Sequence, residues 1–445
     1  MTEPSAPSPR IGPTPREVVV VGLGIVVVAL LAAGFAVAFR WSLEAVLGAV
    51  SGAGDVVEAM QRAPWWVRVG APAVGGLLAG LVGLLIARAP AGHGVGDVME
   101  AVVLGRVRLS MPVTLLKSLA SWLAITFGGS LGREGPLIQF GGAAGKLLGE
   151  RLQLPLGSTR VLIAAGTASG FAAAYNTPFA AVLFVLEVVV GMVVLDMLVP
   201  VLVATAIATT VTRAVVGVGP IYGLRTFTLQ SPAELVAFAA LGALAAFGAQ
   251  GFMRLLSWGE KQFRHPKLSL PWRPALGGLL AGLIVATLPE VAGNGYEPLN
   301  RILDAELGVG FLLLLLVGKA LATTASVSSG SPGGVFTPSL LIGGGIGFAY
   351  ASGLAALGLS VGSPGGYALV GMAAATAATT HAPLMAAVMA FELSGDYAIV
   401  VPLLLTTAVA AFVSRLLRRT SIYTAELEQR GVGWEVTMDG RQLRG

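Results

Sequence analysis

The chain has 445 residues, 55% of them hydrophobic and only 11% charged, with a formal net charge of +5 and a mean hydropathy of +0.82. Soluble domains carry about a quarter of their residues as charges because a water-facing surface needs them, so most of this surface belongs in lipid. With no cysteine, disulfides, thiolate metal sites and cysteine nucleophiles are excluded, and so small a positive charge, sitting largely in tails and loops, reads as topology rather than nucleic-acid binding.

Residues 1–16 are rich in Pro and Ser and read as a disordered cytoplasmic tail. Val18–Phe39 is too long for a signal-peptide core and lacks a cleavage site, so it is predicted to remain as a membrane helix. Further apolar blocks fall at 66–88, 112–130, 137–149, 160–175, 178–216, 233–256, 274–292, 309–328, 335–360, 366–380, 383–394 and 398–417. Several are shorter than the roughly 20 residues of a perpendicular span. Short, Gly-interrupted segments imply broken or re-entrant helices around a protein-enclosed cavity. Residues 17–420 are thus expected to form one transmembrane unit, and the polar 421–445 a cytoplasmic segment too small for its own core. Basic flanks at both ends place both termini in the cytoplasm of a multi-pass cell-membrane protein.

The chain repeats itself. Pro72–Leu81 (PAVGGLLAGL) recurs as Pro274–Leu283 (PALGGLLAGL), an offset of 202. Gly92-His-Gly-Val matches Gly293-Asn-Gly-Tyr at 201, and Gly132-Arg-Glu-Gly-Pro136 matches Gly334-Val-Phe-Thr-Pro338 at 202. Pro178 and Glu187 match Pro383 and Glu392 at 205. Four anchors in one order define two related halves, about 66–216 and 270–417. Such repeats place substrate sites near the midplane, where broken helices meet with their N-termini toward an anion.

Arg133 and Glu134 stand between apolar blocks, and intramembrane charges are costly enough to be functional hypotheses by default. Gly135-Pro136 opens a helix directly after them. The residues alone leave Glu134 divided between two roles. It is either an N-terminal cap with Arg133 as local counter-ion, or a carboxylate that competes with a mobile anion for the same N–H groups. Only three histidines exist, His93, His265 and His381, without metal-ligand spacing, so neither metal nor cofactor is expected. Glu392 and Asp396 are expected to satisfy local backbone groups at a helix end, His381 to be a buried turn residue, and His265 to be solvated.

These motifs resemble the CLC family of chloride channels and chloride/proton antiporters over essentially the whole chain after the first helix. Gly92-His-Gly-Val-Gly96 resembles that family's GSGIP motif, Gly132–Pro136 is GREGP unaltered, and Gly334–Pro338 resembles GxFxP. A tyrosine, Tyr423, follows the last membrane helix, as in the family. The resemblance implies an all-α fold of two inverted repeats of broken, tilted helices, in a homodimer whose subunits each carry a pore. It implies that Glu134 is the gating glutamate, and that His93 with Gly94, Tyr423 and the N–H groups of Val335 and Phe336 surround the anion. Lys117 would lie near the pathway, and Gly92, Gly132, Gly135, Pro136, Gly334 and Pro338 would form the helix breaks.

Two departures stand out. His93 replaces serine and Gly96 replaces proline in the first motif; a histidine can still donate an N–H to an anion, or point away and leave the backbone to bind. Glu187 matches the first of two adjacent inner glutamates of many antiporters, while Val188 takes the place of the second, the usual proton relay; some members couple protons without it. The leading expectation is a chloride/proton antiporter in lipid. Behind it stand a passive pH- or voltage-gated channel, a fluoride exporter, and an intramembrane enzyme or scaffold for which no catalytic motif is found.

Overall fold

A chain immersed in lipid must satisfy each backbone N–H and C=O within itself, and helix is the local way to do so. The computed structural model describes residues 14–86, 94–105, 109–192, 194–217, 222, 229–264, 268–429, 431–437 and 440–444, and these are overwhelmingly helical. The first half runs through Pro15–Ser51 (α1), Val56–Arg62 (α2), Trp65–Ile86 (α3) and Val95–Met99 (α4), which continues as a π-helical turn at Glu100–Leu104. Met111–Thr126 (α5), Glu134–Arg151 (α6), Leu156–Tyr175 (α7), Pro178–Leu183 (α8) with a π-helical extension Phe184–Val190, and Leu195–Val216 (α9) follow. The second half holds Glu234–Phe263 (α10), Trp272–Thr287 (α11), Tyr296–Leu303 (α12), Val309–Ser328 (α13) and Phe336–Ala356 (α14). It ends with Pro364–Thr380 (α15), Pro383–Ser394 (α16), Val400–Leu417 (α17) and Ile422–Gln429 (α18).

Among the described residues, seven stretches, those containing α1, α3, α9, α10, α13, α14 and α17, are long and apolar enough to cross a membrane. The apolar helices α5, α8 with its extension, α11 and α16 are shorter, as the Gly-interrupted blocks predict. The block 178–216 is not one helix, because its first part ends at Gly191 in the left-handed conformation, φ 84, and α9 starts afresh at Leu195. Beyond α18, Gly433–Thr437 pairs antiparallel with Gly440–Arg444 as a two-stranded hairpin.

The two copies of the repeated decapeptide pack on each other. α3 and α11 cross so closely that a Cβ on Gly76 would strike the Pro274 carbonyl, and one on Gly278 would strike that of Pro72. The partners exchange under the repeat offset, so the contact is two-fold symmetric. Glycine at both positions is what lets the backbones touch without a hydrophobic driving force. Behind this crossing, α7 and α15 are buried nearly all round, which explains why neither shows an amphipathic pattern.

Gly278→Val places carbon atoms on a backbone carbonyl that has no room to shift. We expect it to cost about 3 kcal/mol or more, read as loss of a monodisperse peak after detergent extraction. A variant that elutes and melts as the parent does would show the crossing to be tolerant.

Candidate functional site

The site begins where two broken helices leave amides unpaired. The first N–H groups of any helix have no partner within it. At α14, Ser339 N donates to Val335 O, Pro338 has no N–H, and Phe336 and Thr337 remain. Both turn to one acceptor: Phe336 N donates to Glu134 Oε1 at 2.9 Å and Thr337 N to the same oxygen at 3.4 Å. The Thr337 hydroxyl donates to Oε2 at 3.2 Å. Glu134 is itself the first residue of α6 and is 3% exposed. Its carboxylate interacts with its own backbone N–H at the start of α6 and also reaches from the first half to satisfy the second.

The two breaks are locked together. Gly132 N donates to Gly334 O at 2.7 Å, and Gly334 N to Gly132 O at 2.8 Å, an antiparallel bridge across the repeat axis. A Cβ on either glycine would fall on the Glu134 carboxylate, so both must be glycine for the carboxylate to sit there. Leu131 N donates to Gly293 O and Gly293 N to Gly129 O, both at 3.1 Å, which ties in the second half's copy of the first motif. Gly94 lies against Gly135, the site a Cβ would occupy being 3.7 Å from the Gly135 Cα.

Of the predicted site residues, Glu134, Gly94, Gly132, Gly135, Gly334 and Phe336 are thus brought together. Pro136 and Pro338 are buried in the first turns of α6 and α14, and Val335 is the residue before α14. The amides on the carboxylate are those of Phe336 and Thr337, the first of which is also one of the two expected to meet the anion. Tyr423 reaches the site through aromatic rings. Its ring meets Phe184 edge-on at 6.1 Å, Phe184 stacks on Phe171 at 4.6 Å, and Phe171 meets Phe336 edge-on at 5.7 Å. Arg133 precedes α6 and, with Arg40, Leu137, Asn176, Thr212 and Tyr296, lines a cavity of about 330 Å³ at the start of α6. Gly92, His93 and His265 lie outside the described residues.

Lys117 pairs with a carboxylate of the first half. Its Nζ is 3.3 Å from Asp97 Oδ2, which also accepts from Gln139 Nε2 at 3.1 Å, so this pair anchors α4 to α5 and α6. The lysine missed by sequence reasoning is Lys319, fully buried on α13, whose Nζ donates to Val291 O and Gly293 O at 3.0 and 2.8 Å. It lies 202 residues after Lys117, so the repeat offset would have found it. Thr337 and Tyr175 were also missed; Tyr175 OH stands 2.8 Å from the Thr337 hydroxyl. Glu426, one helical turn beyond Tyr423, packs its carboxylate against Gly96. Among the described residues, no group of three or more Asp, Glu or His side chains could hold a metal ion.

Glu187 and Glu392 form a reciprocal pair. Glu187 accepts from Leu384 N and Met385 N at 3.3 and 2.8 Å, and Glu392 from Phe179 N and Ala180 N at 3.0 and 2.8 Å. Each carboxylate caps the helix opened by the other half's proline, α16 or α8. Glu392 therefore does not satisfy local groups as expected, whereas Asp396 does, accepting from Ala398 N at 2.9 Å. His381 is the expected buried turn residue. It ends α15 at φ 60, as Asn176 ends α7 at φ 57, and each is held by an arginine, Arg415 and Arg213.

Residues 75–415 match the family described as voltage gated chloride channel. The chain is 37% identical over 397 residues to a ClcB-like protein of Ralstonia nicotianae, an alignment covering 88% of this chain and 92% of that protein. It is 34% identical over 408 residues to an Escherichia coli protein named voltage-gated ClC-type chloride channel ClcB, covering 89% and 96%. The crystal structure of a slow cyanobacterial Cl⁻/H⁺ antiporter superposes with a TM-score of 0.80 at 26% identity, over 94% of this chain and 99% of that one. A CLC-type fluoride/proton antiporter superposes with a TM-score of 0.75 at 24% identity, over 93% of this chain and 99% of that one, a likeness of fold.

The reciprocal caps can be measured without a transport assay. Glu392→Ala orphans two amides at the start of α8, and we expect about 1–2 kcal/mol of destabilisation, seen as a lower thermal midpoint in detergent. A midpoint equal to the parent's would mean that these amides find other partners.

Proposed function

The chain belongs to the voltage gated chloride channel family, and we propose that it moves chloride across a cell membrane in exchange for protons, with Glu134 as the gate. The observation that carries this reading is the seat of the Glu134 carboxylate. An anionic group occupies donors at the start of α14 that have no other partner, and an anion of the same charge can take its place. Backbone N–H groups and a hydroxyl receive an anion without a fixed cation that would hold it too tightly to leave. Protonation removes the charge that these donors attract, so the side chain leaves and chloride enters; return of the carboxylate expels chloride and releases the proton. Carboxylate and chloride exclude each other from one set of donors, and that exclusion couples the two fluxes.

Tyr423, Gly94 and His93 are proposed to line the anion path with Glu134, with Arg133 drawing anions into the adjoining cavity and Lys117 holding α4 in position. The working form is proposed to be a homodimer in lipid with both termini cytoplasmic, the membrane unit spanning about 17–420. A second reading, a passive chloride channel, is favoured by Val188. This buried apolar side chain stands where the family resemblance implies an inner carboxylate.

Purified protein in liposomes separates the two. An outward chloride gradient should drive protons inward against their own gradient. Chloride flux with no proton movement would leave the channel and discard the antiporter. Glu134→Gln should lower proton movement to the level of protein-free liposomes while chloride flux persists. Continued proton pumping by that variant would remove Glu134 from its role.

A further inference from the structure

The carboxylate is held by more than backbone. Tyr175 OH, Thr337 Oγ1 and Glu134 Oε2 form a line, with 2.8 Å between the hydroxyls and 3.2 Å from Thr337 to the carboxylate. All three residues are buried, and the rings of Phe171 and Phe336 pack around Tyr175 at 5.0 and 5.5 Å. Hydrogen counting fixes the direction. An ionised carboxylate only accepts, so Thr337 must give it the single hydroxyl hydrogen that it has, and Tyr175 must then donate to Thr337. In a low-dielectric site each donor in such a chain strengthens the next. Protonation of Oε2 reverses the demand, because the acid now donates. The Thr337 oxygen, with two lone pairs, can then accept from both the acid and Tyr175, but Thr337 no longer donates to a charged oxygen and the line loses its charge-assisted bond. The chain therefore favours the ionised, seated side chain over the protonated one.

We propose that Tyr175 and Thr337 are a pair of positioning residues whose hydroxyls hold Glu134 in its seat and so set the pH at which the gate opens. This rests on Glu134 being the gate. Among the described residues, the titratable groups that act on Glu134 or Tyr175 from neighbouring elements are Tyr222, Lys319 on α13 and Tyr423 on α18, with Arg133 acting on Tyr222 and Glu297 of α12 on Lys319 behind them. The substitutions below leave all of them in place, so a change in pH response reports on the hydroxyls.

The sign follows from which state loses donors. Removing either hydroxyl weakens the ionised seat, protonation then succeeds at a lower proton concentration, and the midpoint of acid-activated chloride flux moves to higher pH. Thr337→Val and Tyr175→Phe should each raise it by about one pH unit. Thr337→Ser, which keeps the hydroxyl, should stay within a few tenths of the parent. In a Glu134→Ala background, where flux should no longer depend on acid, neither hydroxyl should matter. Unshifted midpoints in Thr337→Val and Tyr175→Phe would overturn the pairing while leaving the gate intact. Equal effects of both variants in the Glu134→Ala background would also overturn it, by showing that the hydroxyls act on the anion directly. Should Glu134→Ala itself retain the parent's pH response, the gate reading falls first, and that failure is distinct from the other two. Tyr175→Phe is near-isosteric and keeps the test available if Thr337→Val proves poorly folded.

Discussion

A helix that starts inside a membrane must find partners for its first amides where water does not reach, and the structure around Glu134 follows from that constraint. At α14 one of the first-turn positions is Pro338, which has no N–H, so the demand falls on Phe336 and Thr337. Glu134 meets it from the other half of the chain. For the carboxylate to arrive, α6 must also begin at the centre, the two chain breaks must lie side by side, and no side chain may stand between them. The Gly132–Gly334 bridge provides the second condition and the glycines themselves the third. The close crossing of α3 and α11 serves the same end, bringing the halves near enough for a side chain from one to cap a helix of the other.

The halves are alike in backbone and unlike in the residues that carry charge. Glu134 corresponds by the offset to Phe336, so only one half offers a carboxylate and only the other receives it. Lys117 pairs with Asp97, while its counterpart Lys319 donates to two carbonyls that flank the break in its own half. Glu187 and Glu392, by contrast, remained equivalent, each capping the other's helix. Equivalence marks residues that hold the halves together, and divergence marks the residues around the carboxylate. Structural carboxylates and the proposed gate use the same physics, an acceptor supplied to orphan amides, and on the gate reading differ in whether the acceptor has a competitor.

Much of this was legible in the chain. Low charge and long apolar blocks announce a membrane protein, and the recurring decapeptide announces the repeat, because close backbone packing tolerates so few residues that the sequence cannot drift. Gly132–Pro136 located the site for the same reason. What escaped notice had physical causes. The break at Gly191 lies within continuous apolar sequence, and hydropathy does not register a π-helical end. Glu392 read as a local cap because its true partners lie 212 residues away in an inverted copy, a distance that no local rule spans. Thr337 stood inside a quoted motif at a position open to any residue. Its importance appears only when Tyr175, 162 residues earlier, is placed next to it. Lys319 hid in an apolar helix, although the offset from Lys117 pointed to it.

Why the carboxylate should be met by amides and hydroxyls rather than by a lysine follows from magnitudes. Removing one partner of a buried ion pair costs about 3–5 kcal/mol, and a gate held that way would rarely open. A single hydrogen bond to a charged acceptor contributes about 1.5–3 kcal/mol, and an entering anion accepts from the same donors, so little is lost when one replaces the other. The nearby cation obeys this logic: Lys319 is satisfied by Val291 and Gly293 carbonyls and contributes its field without gripping the side chain. A seat built from neutral donors thus holds an anion firmly enough to exclude water and loosely enough to exchange it. On the gate reading, the hydroxyls of Thr337 and Tyr175 are the adjustable part of that balance, because side chains vary while the amides of a helix start do not.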